Sequence, residues 1–120
     1  MCTGSIYLAA AGILDGQEAS THWARAGQLG RRRARYTEQR VAERGKVITA
    51  AGVPVGIDMA LTVLARIHGP QLAQIVQLAI EYDPRPPLDA GSPSKAPAQM
   101  AGLRAIIAHH AAMPAPPGGL

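Results

Sequence analysis

The first residues of the chain constrain its fold most, because the only cysteine is followed at once by an apolar, alanine-rich run. Cys2-Thr3-Gly4-Ser5 precedes residues 6–14, and the run stops at the turn signal Asp15-Gly16. This composition predicts a buried helix of about three turns. Cys2 would then begin a helix, where unpaired N–H groups and the helix dipole favour a thiolate. We interpret Cys2 as a candidate nucleophile whose own amide, with that of Thr3, faces a developing oxyanion; the alternative is a small apolar residue near a terminus.

Composition limits the classes of protein that remain. The 120 residues suggest one domain, and the 48% of apolar residues must form a core from Ala, Leu, Ile and Val, because Phe is absent. A single cysteine excludes an internal disulfide framework and fits a reducing compartment, so we expect a cytoplasmic protein. No apolar run reaches the roughly 18 residues that span a bilayer, and the first run lacks the basic start of a secretory signal.

The net charge of +4 is concentrated in one basic cluster, Arg31-Arg32-Arg33 with Arg35. Such a cluster can bind phosphate groups. More often it is a solvated loop or helix end. Because no aromatic platform or recognition-helix pattern accompanies it, we do not expect a nucleic-acid partner.

The middle of the chain alternates short strands and helices, as in an α/β fold. A glycine at a tight turn predicts a β-hairpin around Arg44-Gly45. Apolar residues at spacings of three and four predict helices before and after Gly69-Pro70. The predicted elements are a strand at 18–21, a helix at 24–33, hairpin strands at 40–43 and 46–50, and helices at 56–68, 71–82 and 98–112. The prolines of 83–93 predict an extended loop, and the Pro/Gly-rich residues 114–120 predict a disordered tail.

Few residues suggest chemistry beyond Cys2. His22 is a candidate base for the cysteine, although a histidine beside a tryptophan is more often a packing residue. His109 and His110 do not predict a metal site, because adjacent helical residues point in different directions. Asp58 lies in the first turn of a predicted helix, where a structural role is expected. We expect no cofactor and no metal.

Several motifs together resemble one family. Cys2-Thr3-Gly4-Ser5 with residues 8–16 is similar to the nucleophile elbow and following helix of the ThiJ/PfpI family, part of the class I glutamine-amidotransferase-like superfamily. Ala19-Ser20-Thr21-His22-Trp23 resembles the family's next strand and histidine, and residues 49–61 resemble a later strand-to-helix segment. The late loop at 81–93, the threonine after the cysteine and the Thr-His-Trp triplet are most like the isonitrile hydratase subgroup.

The resemblance implies a fold and an activity. The fold would be a flavodoxin-like three-layer α/β/α sandwich, assembled as a homodimer. The activity would be that of a lyase acting on a small molecule: an isonitrile is hydrated to an N-substituted formamide, with Cys2 as catalytic nucleophile and Thr3 assisting it. The resemblance implies a catalytic role for His22 less strongly, because it gives the closeness of His22 to Cys2 in the fold only by inference. The implied organisation is a partial domain at 1–98, a C-terminal helix at 99–113 and a tail at 114–120.

One departure from the family is large. Its members carry about half of the parallel sheet, and an acidic residue that contacts the cysteine, ahead of the elbow, whereas the cysteine here is residue 2. We therefore expect the C-terminal half of an incomplete sandwich that is not a self-sufficient enzyme. The alternative is a non-catalytic ligand-sensing domain like those of AraC-type transcription regulators, although 120 residues leave no room beside it for two helix-turn-helix motifs.

Overall fold

A computed structural model of the chain describes residues 1–112. Short strands and helices alternate through the first half, and helices dominate the second. The elements in chain order are α1 (Gly4–Ala10), β1 (Glu18–Ala19), a 3₁₀ turn (Trp23–Arg25), α2 (Ala26–Gly30), β2 (Arg35–Tyr36), β3 (Val41–Arg44), β4 (Val47–Ala50), α3 (Val55–His68), α4 (Pro70–Ala79), a second 3₁₀ turn (Ala98–Met100) and α5 (Ala101–Ala112).

The predicted β-hairpin is confirmed. Strands β3 and β4 are antiparallel, with Val41 opposite Ala50 and Arg44 opposite Val47. The chain reverses through Gly45-Lys46, one residue later than the sequence suggested, and Gly45 has a φ of 58°. A glycine takes this left-handed conformation without steric cost, which is why the turn forms there.

Helix α1 is shorter than predicted, because it ends at Ala10 and not at residue 14. Gly12, with a φ of 78°, closes it: the Gly12 N–H donates to the Ala9 carbonyl, and the Ile13 N–H donates to the Leu8 carbonyl, each at 3.0 Å. These two bonds form a Schellman motif, a common helix ending that uses a glycine just beyond the cap. The residues after it form turns that still bury Leu14.

The other predicted strand is reduced to the two residues of β1, which pairs in parallel with β2. The predicted helix at 24–33 is divided into the first 3₁₀ turn and α2. Side chains from α1, α2 and the small parallel sheet bury one another in a cluster of Ile6, Ala9, Leu14, Ala19, Leu29 and Ala34. Parallel strands joined through a helix are the elementary unit of α/β folds.

Helix α3 is confirmed almost residue for residue. Helix α4 ends at Ala79 and not at Tyr82, because Glu81 adopts a φ of 51°. The last helix is confirmed as the second 3₁₀ turn followed by α5, and residues 83–93 contain no helix or strand. The predicted tail at 114–120 lies outside the described residues.

The helices of the second half leave much apolar surface exposed. The exposed fraction is 65% for Ile67, 63% for Ile75 and 81% for Leu78. None of the helices within 1–112 combines the length and apolar character that crossing a membrane requires. Exposed apolar helix faces typically pack against another protein layer.

Candidate active site

Cys2 occupies a sharp backbone turn at the end of strand β4. Its φ is 47°, and its N–H donates to the carbonyls of Ala50 and Ala51 at 3.0 and 2.9 Å. Left-handed backbone is uncommon for a residue with a side chain and is often maintained at functional sites. The strained turn, the half-buried thiol and the helix that follows match the predicted nucleophile elbow in shape.

The carbonyl of Cys2 is held as firmly as its N–H group. The hydroxyl of Ser5 donates to it at 3.0 Å, and the hydroxyl of Thr21 donates to it at 2.9 Å. Both of these side chains are completely buried. Sequence reasoning assigned neither of them to the site; the available signal was that a hydroxyl residue directly precedes His22.

The prediction that the amides of Cys2 and Thr3 both face an oxyanion is wrong for the amide of Cys2. The amide of Cys2 already donates to two backbone carbonyls, so it is not free to meet a substrate. Within residues 1–112 the amide of Thr3 donates to no backbone carbonyl. Thr3 is the exposed N-cap of α1, and its side chain forms no capping hydrogen bond. Among the described residues, these two polar groups next to Cys2, the amide and the hydroxyl of Thr3, are therefore engaged neither in the helix cap nor in a backbone hydrogen bond.

His22 is placed in the same region as Cys2 by Thr21, but the structure gives it another contact. Its Nδ1 accepts a hydrogen bond from the Ala24 N–H at 3.3 Å, and so it caps the 3₁₀ turn. Its ring centroid lies 5.4 Å from that of Trp23. Across residues 1–112, neither ring nitrogen of His22 is hydrogen-bonded to Cys2. This geometry is that of a capping residue, and it is closer to the packing histidine given as the alternative in the sequence analysis than to a candidate base.

A second polar cluster surrounds Asp58. Tyr82 donates its hydroxyl to Oδ1 at 2.6 Å, and Arg40 donates to Oδ2 from its Nε at 3.1 Å and also from its Nη2. Partial burial acts to raise the pKa of Asp58, but the hydrogen bonds from Tyr82 and Arg40 outweigh it and hold that pKa below its ordinary value. The same hydrogen bond to Asp58, with burial, raises the pKa of Tyr82. The predicted structural role for Asp58 agrees with these contacts.

An apolar groove lies between helices α3 and α4 and reaches the first residue of the chain. Its volume is about 560 Å³, which is within the range of small-molecule sites. The glycine at position 56 makes room for Met1: a Cβ at that position would lie 2.0 Å from the methionine sulfur. The lining residues are Met1, Val53, Gly56, Ile57, Met59, Ala60, Leu61, Leu64, Val76 and Ile80.

The arginines of the predicted basic cluster make contacts within their own part of the fold. The basic cluster lies around the end of α2, where Arg33 pairs with Asp15 at 2.6 Å and Arg32 donates to the Gln28 carbonyl. Cations at a helix C-terminus complement the dipole, so this cluster has a structural explanation. Between residues 1 and 112, no group of three or more His, Cys, Asp or Glu side chains is arranged to hold a metal ion.

Comparisons with known proteins agree on one family. A sequence profile of the DJ-1/PfpI family matches residues 1–66. An isonitrile hydratase from Pseudomonas putida is 46% identical over 97 residues, which are 81% of this chain and 42% of that protein. The HTH-type transcriptional regulator CdhR from Pseudomonas aeruginosa is 42% identical over 82 residues, which are 67% of this chain and 24% of the regulator.

Solved structures show the same relationship. A THiJ/PfpI family protein from Pseudomonas syringae superposes with a TM-score of 0.81 and 40% identity, covering 92% of this chain and 47% of that one. An AraC family transcriptional regulator from Pseudomonas putida gives a TM-score of 0.59 and 25% identity, covering 64% and 43%. The chain thus spans less than half the length of each of these relatives. The predicted partial flavodoxin-like α/β fold is confirmed.

Proposed function

Because this chain belongs to the DJ-1/PfpI family, we propose that it carries the nucleophile of an isonitrile hydratase, and that this nucleophile is Cys2. The observation that carries the proposal is the 46% identity to the isonitrile hydratase of Pseudomonas putida, in an alignment that spans 81% of this chain. The backbone of Cys2 supports it, because a strained, doubly anchored turn presents a thiol in one fixed direction.

The proposed reaction needs one thiol, one water molecule and no cofactor. The Cys2 sulfur bonds to the terminal carbon of the isonitrile, and the thiol proton passes to that carbon, which gives a thioimidate. Water then adds across the carbon–nitrogen double bond, with its hydroxyl on the same carbon and one proton on the nitrogen. The carbon–sulfur bond breaks as the proton of that hydroxyl passes to the sulfur, while the original thiol proton stays on the carbon. An N-substituted formamide leaves, and the free thiol is restored. Covalent catalysis of this kind divides one difficult addition into two easier steps.

Thr3 is the proposed assisting residue. Its exposed hydroxyl takes no part in the helix cap, and its amide donates to no backbone carbonyl within the described residues. Both groups are therefore able to hydrogen-bond to the substrate nitrogen or to the attacking water. His22 is proposed as a capping residue only, since its Nδ1 already accepts from the backbone.

A ligand-sensing domain is the second candidate function. The 42% identity to the regulator CdhR and the TM-score of 0.59 to an AraC family regulator favour it. In such a domain the half-buried Cys2 would line a binding site and would not turn a substrate over. The two candidates differ in one observable: only the enzyme converts an isonitrile into a formamide.

Incubation with an alkyl isonitrile tests the proposal, with formamide formation followed by proton NMR. The chain is assayed alone and mixed with the N-terminal half of the Pseudomonas putida relative, because the chain spans only 42% of that protein. We expect formamide from the mixture, none with Cys2→Ala, and a lower kcat with Thr3→Val. Thr62→Val, which removes a hydroxyl bonded to the Asp58 carbonyl in α3, is the matched control and should turn over normally. Saturable isonitrile binding without any formamide would favour the sensing domain.

A further inference from the structure

Two hydroxyl groups from different parts of the chain converge on the carbonyl of Cys2. Ser5 is a local partner, three residues along the chain, whereas Thr21 lies beyond strand β1. Thr21 has no exposed surface, and its hydroxyl donates to Cys2 at 2.9 Å. A buried hydroxyl is desolvated at a cost, so it stabilises the fold through the bond that it makes. The Thr21 hydroxyl therefore donates its proton to the backbone of the proposed nucleophile.

This bond opposes the strain in the turn. The φ of 47° at Cys2 is an unfavourable conformation that persists only where surrounding contacts enforce it. On the amino side, the contacts are the two hydrogen bonds to Ala50 and Ala51. On the carbonyl side, they are the hydroxyls of Ser5 and Thr21. Release of the carbonyl would let the peptide plane after Cys2 rotate, and the Thr3 amide would turn with it.

We propose that Thr21 is a positioning residue for the Cys2 nucleophile, and that it acts with Ser5 by holding the Cys2 carbonyl in place. The inference rests on the proposed function for its catalytic consequence, but the anchoring itself does not. Thr21 touches no reacting atom in this scheme. It fixes the direction of the thiol and of the Thr3 amide relative to one another.

Ser20 supplies a matched control. It precedes Thr21, is equally buried, and donates its hydroxyl to the Gln39 carbonyl at 2.5 Å. Ser20→Ala therefore removes a buried hydroxyl of similar environment without touching Cys2. Thr21→Val removes the hydroxyl at almost constant volume, and Thr21→Ser keeps it. If the role of Thr21 were merely structural, Thr21→Val and Ser20→Ala would have the same effects on the Cys2 carbonyl resonance and on kcat.

The first readout is the carbonyl ¹³C resonance of Cys2 in the full chain. Labelling with ¹³C-cysteine gives a single carbonyl signal because the chain has one cysteine. Loss of an accepted hydrogen bond shields a carbonyl carbon, so we expect an upfield shift with Thr21→Val, recovery with Thr21→Ser, and no shift with Ser20→Ala. If Thr21→Val does not fold, Ser5→Ala removes the other donor and should give the same upfield shift.

The second readout is turnover of an alkyl isonitrile, in the mixture described for the proposed function. We expect kcat to fall about tenfold with Thr21→Val at an unchanged KM, since small displacements of reacting groups are costly, and Thr21→Ser should restore it. Equal carbonyl shifts in Thr21→Val and Ser20→Ala, or failure of Thr21→Ser to restore both readouts, would overturn the positioning role. If the carbonyl shifts follow the expected pattern but no variant, nor the native chain, yields formamide, the hydratase proposal fails and the anchoring of Cys2 stands.

Discussion

Tyr82 donates its hydroxyl to Oδ1 of Asp58 across 2.6 Å, and this bond ties the end of helix α4 to the first turn of helix α3. Arg40, just before strand β3, donates to the other carboxylate oxygen. The hairpin and both helices therefore meet at one carboxylate.

The Asp58 cluster predicts a pH-dependent stability. The folded-state pKa of Asp58 lies below the ordinary value of 3.8, so the ionised carboxylate stabilises the fold above that pH. This contribution is lost as the pH falls through the folded-state pKa. We expect Asp58→Asn to lower the free energy of unfolding at pH 7 and to have progressively less effect as the pH falls below 3.8. Urea titrations at several pH values measure the difference in unfolding free energy between Asp58→Asn and the native chain. An equal difference at every pH would contradict the prediction. Thr62→Val is the control, since it removes a hydroxyl bonded to the Asp58 backbone carbonyl and leaves the carboxylate with both of its donors, so its effect should not depend on pH in this range.

Glu81 predicts a stabilising substitution. Its φ of 51° ends α4, with the Tyr82 N–H donating to the Gln77 carbonyl at 3.0 Å, so a residue with a side chain occupies a position that favours glycine. Glu81→Gly should raise the free energy of unfolding by about 1 kcal/mol, because glycine adopts the left-handed backbone conformation without the steric strain that a side chain causes there. Glu38→Gly, at an exposed loop position without a positive φ, is the comparison and should not stabilise the chain. A fall in the thermal midpoint of Glu81→Gly would show that the Glu81 backbone is not strained.

The capping contact of His22 predicts that substitutions of this residue change stability without changing activity. If it only caps the 3₁₀ turn, His22→Ala should cost about 1 kcal/mol of unfolding free energy, as loss of a cap does. His22→Asn should recover most of that loss, because an asparagine oxygen also accepts from the N–H two residues on. Neither change should alter kcat once the folded fraction is taken into account. A large fall in kcat for His22→Asn at native stability would instead identify His22 as a base.

The apolar face of α4 predicts self-association. Leu78 is 81% exposed, and an apolar surface of this kind promotes contact between molecules. We expect the chain to sediment as oligomers at micromolar concentration and Leu78→Lys to shift it towards monomer. Gln74→Lys adds the same charge on the same helix without removing apolar area, and it is the control. Identical sedimentation of the two variants would show that charge alone, and not the apolar face, governs association.

The parts of this structure that sequence could predict are those with local causes. The hairpin follows from Gly45 at its turn, and α3 follows from its helical spacing. The end of α1 at Ala10 also had a local signal in Gly12, which the apolar run concealed. The end of α4 had no such local signal, because a glutamate such as Glu81 does not predict a left-handed backbone conformation.

The candidate site divides in the same way. Cys2 was predicted from its place before a helix, and the assisting role of Thr3 was implied by the family resemblance; both roles stay predictions. The contacts of Cys2 with Ala50, Ala51 and Thr21 join segments that are distant in sequence, and no spacing rule reports them. For this reason the Cys2 amide was expected to be free when it is already bonded.

The attachment of Cys2 to the end of strand β4 also predicts an order of events during folding. The hairpin closes through a two-residue turn, whereas the Cys2 turn requires closure of the whole segment from Cys2 to Ala50, at a larger entropic cost. The thiol should therefore be among the last groups to reach its native surroundings and among the first to leave them. The rate at which a reagent modifies the Cys2 thiol during refolding would then report when the fold is complete.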